Sequence, residues 1–467
     1  QHMRLGDAAK VLKINQVSAK RAQTYRPFSA LGDLDVERFL SDIVHPQLAN
    51  PSWSIRDVLP VTDTQALDVR TAIHKPRTSI QYNMLYFDKC IDREKLMQAC
   101  SDLVQAHDIL RTVFIEHQST LLQVVVNELD ANIVTRLKSD KDLEQYVTDL
   151  CKTHIESSFC LGSSFLKMFF VEGSDSQACL VIGLSHAQYD GASLPRLLRD
   201  LETLYAGKKI VDLVPFPSYV AGIRRESLQT KALNYWRDLL RGSSLSFLEG
   251  KSGQPTDRSI FRTKLTSVSQ PVEEITTANL LSAAWALLLA RRLRTSDVAF
   301  GSVTSGRNID LANVENVMGP CYQLTPIRVS FDPQWTAMDL LRFVQRQGAE
   351  SAAHDFLGFE KISKQCAQWS PDAQFFDSIV HHQDFEDFDT MPFADGTCRV
   401  DILNPHGDAA HPLKAVSFFR DGKMHVGVVG SERDSAFVDE ILAELATVVQ
   451  ELATRRSERV LVDSQVL

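Results

Sequence analysis

The sequence predicts a mixed α/β protein of the α+β kind, folded as two halves. Three observations carry this. Apolar runs of strand character alternate with amphipathic helical stretches over the whole length. The order of these elements up to residue 207 is similar to the order beyond residue 230. Between them the stretch KKIVDLVPFPSYVAGIRRESLQT, residues 208–230, holds Pro215 and Pro217 and keeps no helical or strand period. A chain of 467 residues has room for two or three domain-sized units, and we divide it into 4–207 and 208–467. A cleft between two such halves is the expected place for a site. The opening Gln1-His2-Met3 resembles the end of an expression tag and is left outside the fold.

In the first half, DREKLMQACSDLVQAHDILRTVF begins as a helix, because Leu96, Cys100, Leu103 and Val104 fall on one face. It runs into a strand over 110–116. His117-Gln118-Ser119 then turns the chain into the apolar run TLLQVVV. DKDLEQYVTDLCKTHIES reads as the next helix. FLKMFFVEGSDSQACLVIGLSH reads as a hairpin whose second strand ends at His186. An amphipathic helix over 194–205, stopped by Ala206-Gly207, closes the half.

The second half opens with the helix KALNYWRDLLRG and the apolar helix ANLLSAAWALLLARRL. The latter is too short to cross a bilayer and ends in Arg291-Arg292, so it reads as a core helix with Thr276 or Thr277 as its cap. Strands DVAFGSVTSGR and QLTPIRVSF, the helix AMDLLRFVQRQGAESAAHD, strands FDSIVHHQDF and KMHVGVVG, and a helix from Ser435 follow.

Composition excludes some classes of function. The net charge of −9 is dispersed, with no basic stripe and no aromatic and basic interleaving. Neither nucleic acid nor a membrane surface is an expected partner. The eight cysteines show no CxxC or Cys/His spacing, and no signal peptide is visible, so they read as reduced thiols of a cytoplasmic protein. His381 and His382 alternate faces on a strand without a spaced carboxylate, so no metal is expected.

The chemistry concentrates in LVIGLSHAQYDGASLPRLLRDL, residues 180–201. A buried strand ends in Ser185-His186, Asp190-Gly191 follow after three residues, and then a helix starts. Histidine suits proton transfer near neutral pH. Asp190 needs a cationic partner if buried, which makes it a bracket for the loop rather than a second acid. Gly191 permits a positive φ or a close backbone approach. Ser185 points to the opposite face if the strand persists, which makes it a poor nucleophile. There is no GxSxG, P-loop or dinucleotide-binding glycine pattern.

SHAQYDG resembles the HHxxxDG motif of nonribosomal peptide synthetase condensation domains, with Ser185 in place of the first histidine. Other segments resemble that family in order: LPVTDTQ at 59–65, AHDILRTVF at 106–114, ALNYWRDLL at 232–240, GSVTSGRN at 301–308, MGPCYQLTPIRV at 318–329 and HDFLGFEKI at 354–362. Together they span about residues 55–450. The serine resembles the terminal condensation domains of fungal synthetases, above all those of fumiquinazoline-type alkaloid pathways, which end assembly by cyclising a peptide.

The resemblance implies a pseudo-dimer of two chloramphenicol-acetyltransferase-like halves with a substrate tunnel between them. It implies an upstream peptidyl carrier domain that delivers a peptidyl thioester on 4′-phosphopantetheine, with no cofactor bound by the chain itself. An amine of the same peptide attacks the thioester. His186 is then the general base or the group that orients the amine, and Ser185, Asp190, Gly191 and Arg111 support it. Arg111, in the LRT segment, is the expected partner of Asp190, with Arg307 as the alternative. Gln323, where the family often has asparagine, Arg307 and His382 are candidate tunnel or substrate contacts. Ala106 departs from the arginine of the family pattern. A chain-elongating condensation domain, an epimerisation domain and a non-catalytic docking module are the competing readings.

Overall fold

The structure is a computed structural model. It describes residues 25–461 apart from 76, 78, 132, 138–141, 156, 158, 174–176, 252–258, 267, 269–273, 371–372, 374, 384–388, 404–412 and 421. The opening tripeptide and the tip of the expected hairpin turn, 174–176, lie outside the described residues.

The first half runs β1 (Ile55–Pro60), α1 (Asp63–His74), β2 (Ile80–Phe87), α2 (Arg93–Ala106), β3 (Thr112–His117), β4 (Thr120–Val126), β5 (Val134–Leu137), α3 (Leu143–Ile155), β6 (Lys167–Glu172), β7 (Ala178–Ser185) and α4 (Ser193–Tyr205). The chain continues with α5 (Phe216–Ile223), α6 (Glu226–Leu240), β8 (Ser259–Leu265), α7 (Thr277–Leu293), β9 (Asp297–Thr304) and β10 (Gln323–Ser330). Then come α8 (Ala337–Ala352), α9 (Phe359–Gln365), β11 (Ile379–Gln383), β12 (Thr390–Phe393), β13 (Gly396–Leu403), β14 (Leu413–Arg420), β15 (Lys423–Ser431) and α10 (Ser435–Thr454).

Strand β7 is buried on both faces, which explains its unbroken apolar run. Its even-numbered residues Leu180, Ile182 and Leu184 pack with Leu96 and Leu103 of α2 and Leu197 and Leu201 of α4. Its odd-numbered Cys179 and Val181 pack with Val69 of α1 and Val147 of α3. This period of two decides the outcome at the strand end, since Ser185 falls on the α1 side. The strand sits in a six-stranded sheet of order β12-β13-β2-β7-β6-β5, in which β2 and β6 flank it antiparallel. A small sheet β1-β4-β3 lies apart.

The second sheet has the order β10-β9-β11-β14-β15-β8. Pro326 in β10 is tolerated because β10 is an edge strand, where a missing N–H breaks no ladder. Helix α7 is buried from Leu280 to Ala290 in the second core, and Thr276 caps it by accepting from the Asn279 N–H. Among the described residues no helix is long and apolar enough to cross a membrane.

Sequence periodicity did not indicate β12 and β13. These strands come from beyond residue 208, yet β13 pairs with β2 in register Cys398↔Phe87 to Leu403↔Tyr82, so they complete the first sheet. The burial of β13 alternates only over Cys398–Asp401, and its partner β2 lies about 300 positions earlier in the chain, so no local pattern announces the strand.

Candidate active site

The loop after β7 is built from backbone outward. The His186 N–H donates to the Ser79 carbonyl at 2.8 Å, which continues the β2–β7 ladder by one residue. Gln188 N–H closes a turn on the Ser185 carbonyl at 2.8 Å, and the Ser185 hydroxyl accepts from the Ala187 N–H at 3.2 Å. Ser185 is fully buried and its side chain is a turn-former. From α1, Gln65 Nε2 donates to the Ala187 carbonyl at 3.0 Å, while Gln65 and Thr62 form the capping box of that helix.

Asp190 then starts α4. Its Oδ1 accepts from the Ser193 N–H at 2.9 Å, and its own N–H donates to the Ser193 hydroxyl at 2.9 Å, a reciprocal cap. Gly191 does not take positive φ, so its backbone freedom is not used there.

Asp190 is 3% exposed, and its carboxylate faces the second half. Arg307 donates to it twice, at 2.6 and 3.0 Å, and the N–H groups of Cys321 and Tyr322 add bonds of 2.9 and 3.3 Å. Burial alone would raise its pKa, but the Arg307 charge and the hydrogen bonds from Arg307 and Ser193 outweigh burial and hold the carboxyl below its ordinary value. The same pairing keeps Arg307 charged despite its burial. Glycine is required next to it: Gly306 has φ of 63°, and a Cβ there would sit 1.9 Å from the Cys321 carbonyl oxygen.

Arg111 is therefore not the partner of Asp190, which corrects the sequence expectation. Its guanidinium is consumed elsewhere, by Asp108 at 2.6 Å and by the carbonyls of Val104, Val126 and Asn127. Arg111 sits in the short turn after α2, and its side chain ties that turn to the end of β4. The family-like pattern supplied an arginine, but only packing decides which buried arginine faces which carboxylate.

His186 is partly exposed at the mouth of this loop. Its ring stacks on Tyr189 with centroids 4.6 Å apart, and it meets the Tyr322 ring edge-on with centroids 6.1 Å apart. Nδ1 is buried, and Nε2 lies 3.4 Å from the Tyr189 hydroxyl. Burial, then the Lys414 charge, push its pKa down to about 4, against smaller opposing effects of the Tyr189 backbone and Asp190. The imidazole is thus neutral at pH 7 and offers a lone pair.

Gln323 is fully buried, and neither atom of its amide has a hydrogen-bond partner among the described residues. Gly358 passes so close that a Cβ there would lie 2.8 Å from Gln323 Oε1. His382 bonds Ser417 through Nδ1 at 2.9 Å. It shares the strand face of Val380, which packs in the second core, whereas His381 shares the opposite face with Ile379 and its neighbour across the ladder, Lys414. Among the described residues no group of three or more metal-ligating side chains occurs.

Sequence reading missed three polar residues here. Asp68 of α1 is 7% exposed and accepts from the Tyr322 hydroxyl at 2.6 Å. Burial raises its pKa to about 7 against the effects of Tyr322 and Lys414, and burial lowers that of Lys414 to about 8 against the pull of Asp68. The available signal was Asp68 four residues after Thr64, both on the buried face of α1.

Residues 55–460 match one protein family, that of the condensation domain. The chain belongs to the condensation-domain family. It is 61% identical over 465 residues to nonribosomal peptide synthetase sidD of Aspergillus fumigatus, covering 100% of this chain and 22% of that protein. It is 38% identical over 458 residues to nonribosomal peptide synthetase 1 of Ajellomyces capsulatus, covering 97% of this chain and 25% of that one. The condensation domain thus spans about a quarter of the length of these fungal relatives. In fold it is similar to a crystal structure described as that of CT, with a TM-score of 0.82, 24% identity and coverage of 93% and 99% of the two chains. The condensation domain of the polyketide synthase MokA gives a TM-score of 0.71 at 13% identity, covering 87% and 100%. The expected pseudo-dimer of two chloramphenicol-acetyltransferase-like halves is the fold of this chain. Condensation domains catalyse amide-bond formation on substrates held by carrier proteins.

Proposed function

We propose that this condensation domain ends assembly on a fungal synthetase by releasing a peptidyl thioester as a ring. The observation that carries the reading is Ser185. It stands where the family motif has its first histidine, and its hydroxyl is absorbed in the turn, so His186 is the sole histidine of the motif. The upstream carrier domain would present the peptide on 4′-phosphopantetheine, and the chain itself would bind no cofactor.

An amine nitrogen of the peptide attacks the thioester carbonyl carbon. The C–N bond forms, the carbonyl oxygen takes negative charge, and the C–S bond then breaks. The amine proton passes to Nε2 of His186 and from there to the departing sulfur, which leaves as the carrier-bound thiol. A neutral imidazole of low basicity orients the amine first and accepts the proton as the tetrahedral intermediate forms. Asp190 and Arg307 hold the loop and do not exchange protons in this scheme.

The test is a mass-spectrometric assay of the purified chain with a tripeptidyl thioester on a phosphopantetheinylated carrier, bearing a free aryl amine and with no added acceptor. A cyclic product lost in His186→Ala supports the reading. Product that forms only with an amine-loaded second carrier assigns the elongating role instead. Deuterium uptake from solvent at an α-carbon without a ring assigns epimerisation.

A further inference from the structure

Tyr322 is fixed at three points. Its N–H donates to Asp190 at 3.3 Å, its carbonyl accepts from the Thr64 hydroxyl at 2.8 Å, and its phenol donates to Asp68 at 2.6 Å. The ring edge meets His186, and the residue is partly exposed. The tyrosine lies on the loop before β10 in the second half, and all three of its partners come from the first half, two on α1 and one on the loop after β7. A phenol has one hydrogen. With that hydrogen spent on a carboxylate, the oxygen presents lone pairs, and donation to the carboxylate strengthens it as an acceptor.

Lys414 reaches the same place from β14. Its ammonium makes no hydrogen bond or ion pair among the described residues, yet its charge acts on both His186 and Asp68. The groups that face Asp68 are Tyr322 from the loop before β10 and Lys414 from β14, and Tyr189 from the loop after β7 senses the same carboxylate. Nothing in the proton path through His186 uses this trio.

We propose that Tyr322 contacts the substrate, accepting a hydrogen bond from the attacking group across from His186, and does so only while Asp68 is ionised. Asp68 and Lys414 are positioning residues: Asp68 takes the phenol hydrogen, and Lys414 supplies the counter-charge that favours the carboxylate. When Asp68 is protonated it donates to the phenol oxygen, and the acceptor facing the nucleophile is lost. The class of substrate is a nucleophile that carries at least one hydrogen-bond donor. The inference rests on the reading of His186 given above. It also assigns the acid limb of the rate profile to Asp68, since its carboxyl titrates near 7 whereas His186 stays neutral to about 4.

The experiment is a set of pH–rate profiles from about pH 5 to 9, run with the tripeptidyl thioester on its carrier. It compares wild type, Asp68→Asn, Tyr322→Phe, Lys414→Met and His186→Ala, each checked for folding by circular dichroism. We expect a wild-type rate that falls on the acid side with a midpoint near 7, and no such limb in Asp68→Asn. Lys414→Met moves the limb to higher pH, because the counter-charge is gone. Tyr322→Phe lowers kcat about tenfold, the effect of one hydrogen bond left unmade, with KM for the thioester changed less than about twofold.

A wild-type limb in Asp68→Asn, or a wild-type kcat in Tyr322→Phe, overturns the proposal. If Asp68→Asn does not fold, the other two variants decide it in the same way. Full activity in His186→Ala instead removes the reading on which the proposal rests. Loss in His186→Ala with unchanged profiles in the others defeats this inference alone. If wild type forms no product from the probe, carbon-13 NMR of the aspartate-labelled chain decides. An Asp68 carboxyl titrating near 7 and moved up in Lys414→Met supports the proposal, and one titrating near 4 overturns it.

Discussion

Asp190 and Arg307 are 117 positions apart in sequence and joined by two hydrogen bonds of 2.6 and 3.0 Å, one end on the loop that carries His186 and the other on the second half. Each belongs to a different half, and each is nearly inaccessible to water, with side chains 4% and 9% exposed. The pair is the clamp that sets the orientation of the two halves at the site.

Removing one partner strands the other charge. Asp190→Ala and Arg307→Met each lose about 3–5 kcal/mol of stability, read as a lower midpoint in chemical denaturation. Arg111→Met loses stability through its own bonds to Asp108 and three carbonyls. Because Arg111 does not contact the clamp, its effect adds to that of Arg307→Met within about 0.5 kcal/mol. An unchanged midpoint in both clamp variants would show that the pair holds nothing.

His186→Ala lowers turnover about 10²–10⁴-fold and leaves the midpoint of unfolding close to that of wild type, since the ring packs mainly on Tyr189. Turnover within about threefold of wild type in a folded variant takes His186 out of the chemistry.

The protonation of His186 is displaced downward. A proton NMR titration of its ring places the transition near pH 4, not at the ordinary 6.5. The folded pKa is below the unfolded one, so the unfolded chain binds the extra proton as pH falls from about 6.5. Stability attributable to this group is complete above that value and is lost on going down towards 4. His186→Ala therefore shows a shallower loss of stability over that window than wild type. A ring titrating at 6 or above means that burial and Lys414 do not act as described.

The helices α2, α3 and α4, the strands β6 and β7 that lead to His186 and the core character of α7 were legible from periodicity and capping, whereas α1 and β2, which flank β7, were not. The partner of Asp190 was not, because Arg111 and Arg307 are equally plausible as residues and only the fold turns one of them away. Asp68, Tyr322 and Lys414 were not visible either. They lie on α1, on the loop before β10 and on β14, and no spacing in sequence links a buried helix carboxylate with a tyrosine 254 positions later. β12 and β13 escaped for the same reason, as their pairing depends on β2.

Gln323 holds a buried amide with no protein partner among the described residues. Gln323→Leu, similar in volume, leaves stability unchanged or raises it by about 1 kcal/mol, because an unsatisfied polar group is removed. Turnover falls about tenfold if the amide meets the substrate, as the sequence reading expects. A midpoint lowered by more than about 1 kcal/mol would show that the amide is bonded in the resting protein.

The strands at residues 390–403 have a consequence for how the chain is made. During synthesis the residues up to 207 emerge with β2 already able to pair with β7, but its other edge stays open until β13 leaves the ribosome. That edge is the row Tyr82–Phe87, which pairs with Leu403–Cys398 in the finished sheet. A fragment that stops before residue 390 keeps it bare, and a bare strand edge invites pairing with a second copy. The two halves resemble each other in layout, but the nascent first half cannot finish its own sheet, and truncation at the apparent boundary yields a self-associating fragment.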